Sequence, residues 1–168
     1  LLDAGDEFGI TPYGTEAMHV LRAEKGFIIV GQDTDGSMSP SDMGLSWIVK
    51  GGKNFSFLGE RSLHRSDLLR SDRKQFVGLL SNDSKTHVPE GSQIVTSKKN
   101  KFPMKMEGHV TSSYAHGSLG YPIALAVVEN GHQRLGETVF SPQPDGSFVD
   151  LKIVSPVFYD SKGERSNV

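Results

Sequence analysis

The sequence predicts an α+β protein in two units, 1–72 and 73–168, and three observations carry that prediction. Residues before Lys74 mix helix-spaced apolar positions with glycine stops. From Lys74 onward short apolar runs alternate with turn signals, and no convincing helix is present. Between them stands the charged run SerAspArgLys at 71–74, the strongest composition break in the chain. At 168 residues the chain has room for one ordinary core or two small ones packed together.

Taken in order, Leu1 to Phe8 reads as the last turns of a helix, with Gly9 supplying a left-handed stop. A second helix follows, with Thr11 as its cap and Pro12 at its first position, where the missing N–H costs nothing. Gly26 ends it. Phe27 to Val30 is a short β-branched run between glycines and is expected to be a buried strand; Gly31 to Ser41 is expected to be a turn-rich loop. Ser39 and Pro40 could open a short helical turn. Leu45 to Val49, with the chain's single Trp, reads as a second apolar strand broken by Gly51 and Gly52. Phe55, Phe57 and Leu58 form an apolar edge before a surface helix over 59–70, whose inward residues are Leu63 and Leu68.

In the second unit the expected strands are Gln75–Leu80, Gln93–Thr96, His109–Tyr114, Ile123–Val128, Glu137–Phe140 and Ser147–Val154. Their spacing predicts a small antiparallel barrel or sandwich. AsnGly at 130–131 and AspGly at 145–146 are strong hairpin signals.

Composition removes whole classes of function. With 18 Lys+Arg against 20 Asp+Glu, the net charge of -2 offers no electrostatic case for nucleic acid or a membrane surface. The densest basic run, LysLysAsnLys at 98–101, reads as a solvated hairpin loop. No cysteine is present, which excludes disulfides, thiol catalysis and thiolate metal sites. No apolar run approaches the ~20 residues that span a bilayer, so a cytoplasmic protein is expected. The abrupt LeuLeuAspAlaGly start reads as a cut inside a longer chain.

Local motifs give little chemistry. GlyGlnAspThrAspGly at 31–36 lacks the Lys and glycine spacing of a phosphate cradle. AspThrAspGlySer at 33–37 starts like a calcium loop but has no closing glutamate. The six histidines are scattered without paired spacing, so no metal site is expected. Ser112, Ser113 and His116 carry no nucleophile-elbow signal.

Glu24 stands apart. On helical spacing Tyr13, Ala17, Val20 and Leu21 share a face, and Glu24 falls in the middle of it. An acid there is set against the negative end of the helix dipole. It either turns out to water or is buried and paired. An ionised carboxylate in that place suits a polar ligand edge presenting two parallel N–H donors, as a pterin or purine ring does.

Five segments together resemble the folate-binding aminomethyltransferase family, to which the glycine cleavage T-protein and several amine oxidases belong. They are ProTyrGly followed by AlaMetHisValLeuArgAlaGluLysGly over 12–26, GlyGlnAspThrAsp at 31–35, SerProSerAspMetGlyLeuSerTrp at 39–47, PheLeuGlyGluArgSerLeu at 57–63, and GlyHisValThrSerSer with SerLeuGlyTyrProIleAlaLeuAla in 108–126. The wording of 21–36 and of 155–165 is most similar to the α-subunit branch of heterotetrameric sarcosine oxidases.

The resemblance implies the C-terminal part of the family's folate-binding fold followed by a small antiparallel β-barrel. It implies a tetrahydrofolate site in which Glu24 grips the pterin, with Arg61 and Arg165 as basic partners and Tyr13 and Trp47 as wall residues. The other subunits of such an oxidase and the rest of its α chain are the implied partners. The acid that positions the folate amine, and the flavin and dinucleotide sites, would lie outside these residues. The alternatives are an aminomethyltransferase fragment and a non-catalytic folate-binding or docking module.

Overall fold

A computed structural model describes residues 1–49, 56–99 and 103–166. The second unit is a six-stranded antiparallel sheet: β1 (Lys74–Ser81), β2 (Gln93–Ile94), β3 (Gly108–Tyr114), β4 (Ile123–Glu129), β5 (Thr138–Pro142) and β6 (Phe148–Val154). Its order is β2-β3-β4-β1-β6-β5. The two ends meet where Val95 and Phe140 exchange backbone hydrogen bonds of 2.9 Å each, so the sheet curls into a nearly closed barrel. Closure removes the exposed strand edges that would otherwise template pairing with other chains.

All six expected strands are present, within a residue or two at their ends. AspGly at 145–146 does turn the β5–β6 hairpin, with Gly146 at φ +82° and the Asp145 carboxylate accepting from the Ser147 amide. AsnGly at 130–131 does not make a hairpin. Asn130 adopts the left-handed geometry its side chain tolerates, φ +53°, but the chain then makes a 3-10 turn, Gly131–Gln133, and joins β4 to β5, which are not neighbours. Local turn chemistry was right there; strand order is a non-local property.

Alternation in the strands makes two cores. Val77, Leu79, Ala124, Ala126, Val128, Leu151 and Ile153 fill the barrel interior. Phe76, Ile123, Leu125 and Val127 point outward and are buried just as deeply, because the first unit packs over them with Ala23 and Met43. This is why β4 reads as an unbroken apolar run: both of its faces are covered.

The first unit is made of short pieces. α1 (Leu2–Gly5) passes into a 3-10 turn, Asp6–Phe8, and Gly9 closes it at φ +66°. α2 (Thr15–Glu24) starts at Gly14, not at Thr11 and Pro12. The Thr11 hydroxyl donates to the Gly9 carbonyl and caps nothing, and Gly14 is extended, so Tyr13 lies before the helix and is exposed. Ala17, Val20 and Glu24 do face inward, whereas Leu21 is half exposed.

Two expected strands are absent. Phe27 to Val30 has no ladder partner among the described residues beyond one isolated bridge from Val30 to Thr34, and both Phe27 and Val30 are exposed. A β-branched run makes a strand only when a neighbour takes its backbone bonds. Within Leu45–Val49, Ser46–Val49 is a single helical turn, α3, with Trp47 exposed. Short apolar runs carry no period that separates strand from helix. The expected surface helix over 59–70 is a 3-10 turn, Glu60–His64, and a further turn through Leu69, with Leu63 and Leu68 half buried as expected. The expected break at Gly51–Gly52 and the Phe55 edge lie outside the described residues.

Asp42 ties the first unit to the start of the second. Ser39 and Asp42 form a reciprocal cap, the Asp42 amide donating to the Ser39 hydroxyl and the Asp42 carboxylate accepting from the Ser39 amide. Arg73, immediately before β1, then donates to both oxygens of Asp42, 2.7–3.0 Å away. The expected solvated loop at 98–101 is partly docked: Lys98 pairs with Asp150 at 2.6 Å and lies over the Phe140 ring.

Candidate functional site

α2 ends in a Schellman turn. Gly26, at φ +70°, donates to Ala23 and Phe27 donates to Arg22, which satisfies two of the carbonyls a helix end leaves open. A third, the Glu24 carbonyl, accepts from the amides of both Phe158 and Tyr159 at 2.9 Å. The chain after β6 therefore straps across the end of α2. Lys25 holds it further, donating to the Asp160 carbonyl at 2.8 Å and to its carboxylate at 3.2 Å.

The Glu24 side chain is buried, with 2% of the residue exposed. Its oxygens accept from two donors on one residue of the barrel: the Ser118 amide reaches Oε1 at 2.7 Å and the Ser118 hydroxyl reaches Oε2. The β3–β4 connection thus lies directly over the carboxylate, and Gly117 is so close that a Cβ there would sit 2.5 Å from Oε1. Charge-assisted bonds of this kind offset the unfavourable helix dipole and the cost of burial. An ionised carboxylate offers about four lone-pair positions. Ser118 uses two of them, one on each oxygen.

A second buried carboxylate is Asp33, 2% exposed, which its loop sequence does not mark as an anchor. Its Oδ1 accepts from the hydroxyls of Thr111 and Ser112, and its Oδ2 from Arg22 and the Ile29 amide. All four acceptor positions are filled. Ser112 is equally saturated, donating to Asp33 while accepting from Arg22 at 2.7 Å and Gln32 at 3.1 Å. This cluster fixes the outer end of α2 on β3, and it leaves Ser112 no role as a nucleophile. The signal that could have found it was the spacing of Arg22 and Asp33, which bracket the helix stop and the loop behind it.

The other expected site residues are dispersed. Arg165 lies over the Tyr159 ring at 5.8 Å, and its amide donates to Asp160, so the strap brings it toward the end of α2. Trp47 lines a groove of about 500 Å³ together with Lys25, Phe27, Met43, Phe76 and His132. Glu24 is not among the residues lining that groove. Tyr13 and Arg61 are exposed and have no bond to Glu24. Among the described residues no cluster of three or more His, Asp and Glu has metal-binding geometry. No described helix is long and apolar enough to cross a membrane.

Comparison with known proteins bears on this arrangement. The model of the GCVT N-terminal domain matches residues 1–53, and that of the glycine cleavage T-protein C-terminal barrel domain matches residues 74–160. The chain belongs to the glycine cleavage T-protein family. A crystal structure of the family's aminomethyltransferase T from Bartonella henselae has the same fold, with a TM-score of 0.67 at 23% identity over 85% of this chain and 38% of that one. The sarcosine oxidase subunit alpha of Corynebacterium sp. (strain U-96) is 47% identical over 96% of the chain. An aminomethyltransferase from Streptomyces avermitilis is 30% identical over 95%. The chain spans 17% of the first of these relatives and 41% of the second. Relatives of this module thus include both an oxidase subunit and an aminomethyltransferase.

Proposed function

We propose that this chain is the tetrahydrofolate-binding portion of a cytoplasmic sarcosine oxidase α subunit, an enzyme that demethylates sarcosine to glycine and passes the carbon to tetrahydrofolate. The observation that carries this reading is the 47% identity to a sarcosine oxidase subunit alpha over nearly the whole chain, against 30% to an aminomethyltransferase. Glu24 accepts two N–H donors of the pterin edge, one on each carboxylate oxygen. Arg165 and Arg61 supply positive charge to the acidic tail of the ligand, and Tyr13 and Trp47 supply ring faces. The other oxidase subunits and the rest of the α chain are the partners. They hold the flavin, the dinucleotide and the acid that positions the folate amine, so the isolated chain is inactive.

The test uses the complete oxidase and measures how the sarcosine methyl carbon divides between 5,10-methylenetetrahydrofolate and free formaldehyde. Glu24→Gln keeps the shape but loses the charge, and is expected to raise the formaldehyde share while sarcosine oxidation continues. An unchanged division would sink the assignment of Glu24. A complete protein that ignores sarcosine and instead transfers an aminomethyl group from a lipoyl carrier protein would establish the second reading, aminomethyltransferase, which the 41% coverage of the Streptomyces enzyme favours.

A further inference from the structure

We infer that Ser118 is a displaceable cover that occupies the Glu24 carboxylate until a ligand bearing two parallel donors replaces it. The inference rests on the proposed role of Glu24 as a pterin anchor. Its geometric basis is independent of that role.

Glu24 is 2% exposed, so no ligand edge reaches its oxygens unless something moves. On one side stands α2 itself, whose Ala23 and Arg22 are locked into the outer core and onto Asp33. On the other stands the turn after β3. That turn is thin and weakly held: Gly117 and Ser118 are exposed on its outer side, and its own closing bond, from the Gly120 amide to the Gly117 carbonyl, is 3.4 Å long. Its polar attachments to what lies beneath are the two bonds from Ser118 to Glu24, with Leu119 half buried against the outer core beside them. The turn is the part that yields.

What it presents to the carboxylate is one N–H on Oε1 and one O–H on Oε2. An amidine-like ring edge presents the same pattern, two donors to two oxygens. A two-donor ligand that lifts the turn restores both bonds. A one-donor ligand leaves a buried carboxylate oxygen short of a partner, and buried charged acceptors left unpaired are costly. The covered state is the common starting point for every ligand, so its cost lowers all affinities alike, and a two-donor edge is what restores both bonds once the turn has lifted.

Two variants loosen the cover from different directions. Ser118→Ala removes the O–H donor and keeps the amide. Gly117→Ala places a Cβ 2.5 Å from Oε1, which pushes the turn off the carboxylate without touching Ser118. The experiment titrates the full-length protein with tetrahydrofolate and with the analogue lacking the 2-amino group, which offers one donor fewer. The wild type is expected to prefer tetrahydrofolate strongly. In both variants tetrahydrofolate and the analogue are each expected to bind about tenfold tighter than to the wild type, the scale of one hydrogen bond to a charged group. The preference between them stays the same, because the cover is lost from the free state that both ligands share.

If neither variant tightens either ligand, or if Ser118→Ala weakens both ligands, Ser118 does not act as a displaceable cover and the inference fails. Glu24→Gln separates that failure from failure of the functional reading. Loss of tetrahydrofolate binding in Glu24→Gln with no change in Ser118→Ala overturns only the role of Ser118. Unchanged tetrahydrofolate binding in Glu24→Gln overturns the anchor as well.

Discussion

Thr111 and Ser112 are consecutive in β3, yet both hydroxyls donate to the same oxygen of Asp33, at 2.6 and 2.7 Å. Neighbours in a regular strand point to opposite faces. Here the register against β4 slips between Val110, opposite Ala126, and Ser112, opposite Leu125, so Thr111 is the extra residue of a bulge. The bulge turns two successive side chains toward one carboxylate, and bulges commonly serve to re-aim a side chain in this way.

Asp33→Asn is the most direct probe of that arrangement. The amide leaves the buried Arg22 guanidinium without a charged partner and sets an N–H₂ group against donors on at least one side. The expected loss is about 3 kcal/mol in urea unfolding, the scale of breaking one partner of a buried ion pair. Thr111→Val keeps the shape and removes one of four donors, with an expected loss of about 1 kcal/mol. Equal stability of Asp33→Asn and wild type would mean the cluster contributes nothing to holding α2.

Asp42 gives a pH dependence with a definite sign. Burial pushes its carboxyl up, but the hydrogen bonds from Arg73 and Ser39 together outweigh burial and hold it below the ordinary carboxylate range. The unfolded chain therefore binds the proton more readily, at about pH 3.9, than the folded chain does. The contribution is complete above that value and disappears as pH falls through the lower folded one. Asp42→Asn is expected to flatten this limb of the stability curve and to cost about 2 kcal/mol at neutral pH, where Arg73 loses its partner. Parallel acid limbs in chemical denaturation of the two proteins would contradict this.

Sequence specifies a feature legibly where the information is local and poorly where a distant partner decides. The barrel strands were legible because their apolar runs end in turn residues, and Gly26 was legible as a helix stop because its left-handed geometry needs no distant partner. Phe27–Val30 and Leu45–Val49 looked like strands on the same evidence, but the outcome depends on what lies beside them. Glu24 falls in between: its place on the inward stripe was readable from helical spacing, while its donor, Ser118, lies 94 residues away on a loop whose approach depends on the closed barrel. The Asp33 cluster is only half legible: Arg22 and Asp33 bracket the helix stop, but their meeting with Thr111 and Ser112 depends on a bulge that no residue pattern announces.

Gly26→Ala tests the close approach at the end of α2. The left-handed φ alone costs an alanine roughly 1 kcal/mol. In addition its Cβ would sit 2.6 Å from the Pro156 carbonyl oxygen, which is backbone and cannot swing aside. A total loss of about 2–4 kcal/mol is expected, seen as a lower Tm. Gly146→Ala shares the positive φ but has open space around it, so it isolates the conformational part. If the two variants lose equal stability, the strap does not press on the helix end.

The strap itself is tested at Lys25. Burial pushes the Asp160 carboxyl up, but bonds from Lys25 and from the amides of Arg165 and Glu164 more than reverse it and hold the group below the ordinary range. Asp160 is thus the knot of the segment, and Lys25 ties it to α2. Without Lys25 the strap retains the packing of Phe158 against Gly78, where a Cβ would meet the ring at 2.7 Å, and the two amide bonds to the Glu24 carbonyl. Lys25→Ala is therefore expected to open the strap locally without unfolding the barrel. Hydrogen exchange at the Phe158 and Tyr159 amides should speed up about fivefold, while the β4 amides of Leu125 and Val127 stay protected. Because those two strap amides are bonded to the residue that carries the Ser118-covered carboxylate, their exchange also reports ligand binding. A ligand that engages Glu24 and steadies the end of α2 should slow them in the wild type. Unchanged exchange in both experiments would show that the strap and the carboxylate are not coupled, and that the end of α2 is rigid on its own.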